Sequence, residues 1–249
     1  MEISSVQISN QNKCCKERYW NLFSLLPEVI IIITQQSQEW HIQRKYRVTG
    51  SRIYELYTYS KGDWESKAVK YFHNKSFSNK YTKHGIKYES NAREAFVKQT
   101  LFHVVECGMV VSQANPWLGY SPDGIIFEGK RPVALLEIKC LYEGNTAVYT
   151  FFQLQLEQPT QLAKLLAKTK YLEKCGSKYR LKEKHKYYGQ IQLGMALLNV
   201  ERCYFVLYAS FDKSIEICEV DINYNFAKKM LTVVKKNYFD CMFHTICKS

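Results

Sequence analysis

The chain has 249 residues, 46% of them hydrophobic and 23% charged, which is enough to bury a sizeable core and excludes a small disulfide scaffold or an intrinsically disordered chain. Thirty-five Lys and Arg against 23 Asp and Glu leave a formal charge of +12, which points to a polyanionic partner, nucleic acid ahead of an anionic membrane. The nine cysteines are scattered and show no CxxC pair or zinc-type Cys/His spacing, so they read as reduced, buried thiols of an intracellular protein.

Residues 1–40 carry three basic and four acidic side chains, so the whole positive excess lies after Trp40. The apolar run 22–33 is broken by Ser24, Pro27 and Glu28, too short for a membrane span and without a signal-cleavage site. No repeat and no Gly/Ser linker divides the rest, which predicts one main domain over 40–249 with an N-terminal appendage, 1–39, of no assigned role. Thr49-Gly50-Ser51 before Arg52-Ile53-Tyr54 reads as a capped helix start whose free N–H groups can hold a phosphate. Over 84–100, Glu89, Ala92 and Phe96 share one helical stripe, which sends the Glu89 carboxylate inward or along a cleft edge. Runs at 103–112, 124–128 and 134–142 read as an antiparallel strand meander. Beyond a lysine-rich connection, 187–200 has helical spacing, 202–210 and 215–222 read as strands, and 225–246 as a closing amphipathic helix. The fold class is α/β, a central mixed sheet flanked by helices. Most of the 19 Tyr and 13 Phe are expected to fill that core.

The chemically informative stretch is Ser121-Pro122-Asp123-Gly124 followed by Glu137-Ile138-Lys139. On a strand, Glu137 and Lys139 project from one face while Ile138 packs on the other. A carboxylate and an ammonium in an apolar strand need to pair or to meet a metal. Asp123, Glu137 and the main-chain oxygen of Ile138 make an oxygen-rich set suited to Mg²⁺. That is the chemistry of phosphodiester hydrolysis, with Lys139 positioning the attacking water or helping to deprotonate it. The bare pattern is also compatible with an accidental Glu-x-Lys on an exposed edge.

Six ordered blocks give the pattern its company: Trp40-x3-Arg44, Thr49-Gly50-Ser51, Gly85-x2-Tyr88-Glu89-x2-Ala92, Ser121-Pro122-Asp123-Gly124, Glu137-Ile138-Lys139-Cys140 and Tyr187-Tyr188-Gly189-Gln190-Ile191-Gln192. Through them the chain resembles the PD-(D/E)xK nuclease superfamily and, within it, the lambda-exonuclease or YqaJ-type viral recombinase family, over residues 40–222. The resemblance implies a restriction-endonuclease-like core and a Mg²⁺-dependent deoxyribonuclease, with Mn²⁺ as an alternative. It further implies digestion of double-stranded DNA from an end, 5′ to 3′, in recombination, beside a single-strand annealing protein and as a ring-shaped homotrimer. It carries metal ligation onto Asp123 and Glu137, the catalytic lysine onto Lys139, and a further metal contact onto Glu89, direct or through water. It carries a pocket for a 5′-terminal phosphate onto Arg44, Ser51, Ser121 and Gln190, with Tyr187 beside Gln190.

Each residue also has a plainer reading. Arg44 could be one solvated cation of Arg44-Lys45-Tyr46-Arg47, Ser51 a helix cap, Ser121 a turn residue, Glu89 an ion-pair partner of Arg93, and Tyr187 and Gln190 a bonded pair on a core helix. An endonuclease on the same scaffold and a catalytically silent DNA-binding module are the rival functions. Two features depart from the family: Leu141-Tyr142-Glu143 stands where Pro often follows the ExKC segment, and the link from 142 to 187 is long. Within it, residues 164–186 hold nine basic and two acidic side chains, a surface suited to tracking a phosphate backbone, or else a solvated helical face.

Overall fold

A computed structural model describes residues 13–23, 35–73, 78–112, 114–146, 165–166 and 169–247. Most of the apolar run 22–33 lies outside them, as do Lys164 and Lys168. Helix α1 (Lys13–Phe23) is followed by α2 (Gln38–Lys45), which Ser37 caps by accepting from the Trp40 N–H at 3.1 Å. A two-residue strand, β1 (Val48–Thr49), runs straight into α3 (Gly50–Tyr57), and α4 (Trp64–Phe72) follows behind the Asp63 cap. Thr49 takes the N-cap position of α3 in extended geometry, yet its hydroxyl makes no capping bond, which corrects the sequence expectation. Thr49 is also a strand residue, paired with Gly119, and its side chain is buried instead of folded over the helix mouth.

Helix α5 (Lys80–Thr100) begins four residues before the run expected over 84–100, because Asn79 and Thr82 form a reciprocal capping box. After it come β2 (His103–Val105), β3 (Val110–Val111), β4 (Leu118–Tyr120), β5 (Gly124–Glu128) and β6 (Arg131–Cys140). The single strand expected over 103–112 is therefore two strands in different sheets. β2 pairs antiparallel with β5, whereas β3 joins β4 and β1 in a small separate sheet. Gly108, which has no side chain to pack on a pleat, falls at the break.

Strand β6 ends in a short 3₁₀ turn, Tyr142–Asn145. The lysine-rich link contributes a hairpin, β7 (Leu172–Cys175) and β8 (Lys178–Leu181), turning at Gly176 with φ +63, so Lys174, Lys178 and Arg180 lie on strands and not on a helical face. Then follow α6 (Lys186–Leu198), β9 (Arg202–Ala209), β10 (Ser214–Asp221) and α7 (Tyr224–Lys236), and a π-type turn, Asn237–Met242, leads into α8 (Phe243–Cys247). The closing helix expected over 225–246 is thus interrupted.

The central sheet has the order β10-β9-β6-β5-β2, antiparallel except for the β6–β9 pair, so it is mixed as expected. Strand β6 sits in its middle and is covered on both faces, which is why it reads as a nearly continuous apolar run. Leu136 and Ile138 pack with Ala92 and Phe96 of α5 on one side. Leu135 packs with Ile191 of α6 on the other. The alternation of β6 therefore aims Glu137 and Lys139 at α6. Among the described residues no helix is long and apolar enough to cross a membrane.

Candidate active site

A cleft of about 710 Å³ opens where β6 leaves the sheet, between α3, α5 and the start of α6. Its inner end is built on Glu137, which is only 1% exposed. Glu137 Oε1 accepts from Lys139 Nζ at 2.6 Å and from Gln190 Nε2, while Oε2 accepts from the Tyr120 hydroxyl at 2.6 Å. A buried carboxylate is tolerable only with such a set of donors. Asp123, at the mouth of β5, accepts the Ile138 N–H on Oδ2 at 2.7 Å; no hydrogen bond to its Oδ1 is found among the described residues. Burial and the neighbouring Glu137 push the Asp123 carboxyl well above the ordinary range, against the pull of Lys139. Burial alone would push Lys139 down, but Glu137 and Asp123 together outweigh it and hold the ammonium protonated. Lys139 Nζ also donates to the Ile138 carbonyl at 3.1 Å and lies 5.1 Å from the Tyr187 ring centroid.

Glu89 enters the same cleft from α5, raised by burial and partly restored by Arg93 and Lys139. Its Oε1 accepts from Arg93 Nη2 at 2.9 Å, the i,i+4 ion pair that the plainer sequence reading offered. The same guanidinium donates through Nε to the Asp123 carbonyl at 2.9 Å and pairs with Glu106 at 2.7 Å. Arg93 thus ties the α5 carboxylate to the turn that carries Asp123, a role its sequence position did not reveal.

The outer end has the opposite character. Arg44 Nη1 donates to Ser121 Oγ at 3.4 Å and Nη2 to Ser51 Oγ at 3.2 Å, with its guanidinium 4.0 Å from the Trp40 ring centroid. The indole N–H of Trp40 donates to the same Ser121 Oγ at 2.8 Å. Burial, then Arg52, lowers Arg44 to about 10, so it stays charged at neutral pH. Among the described residues no carboxylate pairs with it. Ser51 sits in the first turn of α3, where backbone N–H groups have no partner within the helix. Arg44, Ser51 and the sequence-distant Ser121 are so drawn into one cationic, hydroxyl-lined corner. Gln190 and Tyr187 do not join it directly: Gln190 bonds Glu137, and its Cγ lies 3.1 Å from the position a Cβ on Gly50 would take, so it spans the two ends.

The profile of the YqaJ-like viral recombinase domain matches residues 39–200. The chain belongs to that family. The fold is similar to that of the alkaline exonuclease LHK-Exo of Laribacter hongkongensis, at TM-score 0.59, 20% identity and coverage of 85% of this chain and 95% of that one. The LHK-Exo structure in complex with dAMP gives TM-score 0.60 at 21% identity, with the same two coverages. No curated protein matches the sequence. The shared architecture is the restriction-endonuclease-like core.

Two features of this YqaJ-family cleft escaped the sequence. Tyr120 reads as one more core ring, yet its hydroxyl serves Glu137. Glycines make room for it: a Cβ on Gly50 or Gly194 would lie 2.6 or 2.5 Å from its ring, so a side chain on α3 or α6 would displace the tyrosine. The second is the rim after β6. Just past Cys140 and Leu141, Tyr142 of the 3₁₀ turn packs against Tyr81 and His84 of α5, at centroid distances of 5.2 and 5.5 Å. Lys80 lies 4.8 Å from the same ring.

Proposed function

We propose that this YqaJ-family protein is a divalent-metal-dependent deoxyribonuclease that digests double-stranded DNA from an end, 5′ to 3′, in recombination or DNA processing. The observation that carries this reading is the meeting, in one cleft, of a buried carboxylate–lysine cluster and a separate arginine–hydroxyl corner. The first suits a cation, the second a phosphate, and DNA with a terminal phosphate brings both together. The alkaline exonuclease activity named for the structurally similar LHK-Exo supports the same reading.

The donor set fits a hard cation. Asp123, Glu137, Glu89 and the Ile138 carbonyl offer only oxygen, and an Asp123 carboxyl pushed upward by burial and then by Glu137 marks a place that favours added positive charge. We assign metal ligation to Asp123, Glu137, Ile138 and Glu89, with Mg²⁺ preferred and Mn²⁺ able to replace it. Such an ion supplies polarisation of the phosphoryl group and a more acidic bound water. Lys139, charged and held by Glu137, orients the attacking water and offsets the charge that develops on the phosphate. Arg44, Ser51 and Ser121 hold a 5′-terminal phosphate, and Gln190 with Tyr187 lines the path between that anchor and the cation. The unit that does this spans residues 40–249, with α1 of the 1–39 segment packed onto its core, and acts on DNA ends as a ring-shaped homotrimer beside a single-strand annealing protein inside the cell.

Nucleotide release from a linear duplex tests the metal dependence. Release in Mg²⁺ or Mn²⁺ and none in EDTA is expected; undiminished release in EDTA, or none with either ion, overturns the proposal.

A further inference from the structure

Far from the cleft in sequence terms, the two ends of the described chain meet. Tyr19 of α1 packs on Phe243 of α8 at a centroid distance of 6.2 Å, and Cys15, Tyr19, Phe23 and Phe243 all belong to the main core. On this seam Cys14 Sγ lies 3.8 Å and Cys15 Sγ 3.4 Å from His244 Nδ1, and Cys247 Sγ lies 3.5 Å from Cys15 Sγ. All four ligand atoms fall within 4.8 Å of one another.

 

These three separations lie close to the edges of a zinc tetrahedron. With Zn–S near 2.3 Å and Zn–N near 2.0 Å, sulfur–sulfur edges of about 3.8 Å and sulfur–nitrogen edges of about 3.6 Å are required. Three thiols and an imidazole are soft donors that favour Zn²⁺ over the hard ions suited to the cleft. His244 and Cys247 stand at i and i+3 on α8, hence on one helix face, while Cys14 and Cys15 are adjacent in the first turn of α1. The pairs are 229 to 232 residues apart, which is why sequence spacing showed no zinc pattern and the thiols read as scattered. A disulfide between Cys15 and Cys247 would need their sulfurs at about 2.05 Å and would leave Cys14 and His244 without a role. Three thiolates and a neutral imidazole around Zn²⁺ carry a net charge of −1. Arg18, on α1 and close enough to bias the Cys247 thiol, has a buried Nε with no hydrogen-bond partner among the described residues, a cation placed to balance that charge.

We propose that Cys14, Cys15, His244 and Cys247 form a structural Zn²⁺ site that fastens the N-terminal helix α1 to the C-terminal helix α8. Four protein ligands close the coordination sphere, so the site holds structure and does no chemistry on substrate. Binding replaces three thiol protons: Zn²⁺, three Cys–SH and one His give the tetrahedral complex and three H⁺. Cys14 is exposed and offers the ion a way in.

The test uses the full chain, purified with reductant and without chelator. Metal analysis should find about one Zn²⁺ per chain, and exchange with Co²⁺ should give the thiolate charge-transfer and strong visible bands of a tetrahedral sulfur-rich site. Cys15→Ser and Cys247→Ser should lose both signals, whereas Cys175→Ser on the exposed hairpin and Glu137→Gln in the cleft should keep them. His244→Cys should retain the metal with its visible bands shifted, which guards against variants that merely unfold. No thiolate–Co²⁺ band in the parent chain, equal zinc in Cys15→Ser and parent, or a Cys15–Cys247 disulfide in the purified protein would overturn the proposal.

Discussion

At the inner end of the cleft Glu137 is 1% exposed and both of its oxygens accept hydrogen bonds, from Tyr120, Lys139 and Gln190. At the outer end Arg44 touches only hydroxyls and an indole, with no carboxylate beside it among the described residues. The inner end is a cluster of three carboxylates held by Lys139 and, at Glu89, by Arg93, and the outer end is a cation held by neutral groups. The two ends therefore suit ligands of opposite sign. Their difference also follows from where the residues come from: the inner groups ride one central strand and its neighbours, whereas the outer ones are gathered from α2, α3 and the turn after β4.

The largest effect should come from the inner end. Glu137→Gln or Lys139→Ala is expected to lower cleavage of linear duplex by about 10³-fold or more, with DNA binding changed only a few-fold in a mobility-shift titration. Cleavage within ten-fold of the parent in both variants would contradict the assignment. At the outer end, Arg44→Ala should lose the preference for 5′-phosphorylated over 5′-hydroxyl ends, an effect of about 1.5–3 kcal/mol, or roughly 10- to 100-fold, typical of a charged hydrogen bond. Arg44→Lys should restore it only in part, because an ammonium cannot reach both Ser51 and Ser121 as a fork. Equal loss on both kinds of end would erase the distinction between the two ends.

The hairpin offers a weaker, sequence-independent contact. Replacing exposed Lys174, Lys178 and Lys184 by Gln should flatten the dependence of log K on log salt by about 0.9 for each phosphate contact removed. An unchanged slope would make the hairpin a solvated surface. The smallest effect is on stability. Asp123 has a folded-state pKa above its ordinary 3.8, so below that value it is protonated in both states and costs nothing. As pH rises past it, the unfolded chain releases the proton first and stability falls. In EDTA at neutral pH, Asp123→Asn should therefore melt a few degrees higher than the parent, while Mg²⁺ should raise the melting temperature of the parent alone. A lower melting temperature for the variant in EDTA would contradict the charge crowding inferred at the inner end.

Much of the inner end was legible in the sequence because strand alternation is a strict rule: once Ile138 is apolar and packed, Glu137 and Lys139 must share the other face. The mixed sheet, with its strands at 124–128, 202–209 and 214–221, was legible for the same reason. What escaped depends on contacts across the fold. Tyr120 looks like any core aromatic until Gly50 and Gly194 are seen to leave room for its ring beneath Glu137. Arg93 was read only as a partner of Glu89, since nothing local shows its bond to the Asp123 carbonyl. The break of the 103–112 run into two sheets and the π-type turn at 237–242 are settled by tertiary pairing, which short apolar runs do not encode. The cysteine and histidine cluster is the extreme case, because its members are the two ends of the described chain.

The central claim is that a phosphate anchor and a metal-binding cluster share one cleft and so set both chemistry and polarity. It is tested most directly by Mg²⁺-dependent digestion of end-labelled linear duplex, with a 5′ phosphate on one strand only, beside a covalently closed circle of the same sequence. Rapid loss of the phosphorylated strand from its 5′ end, with the circle intact, is the expected result. Cutting of the circle, or equal digestion of both strands, would contradict it.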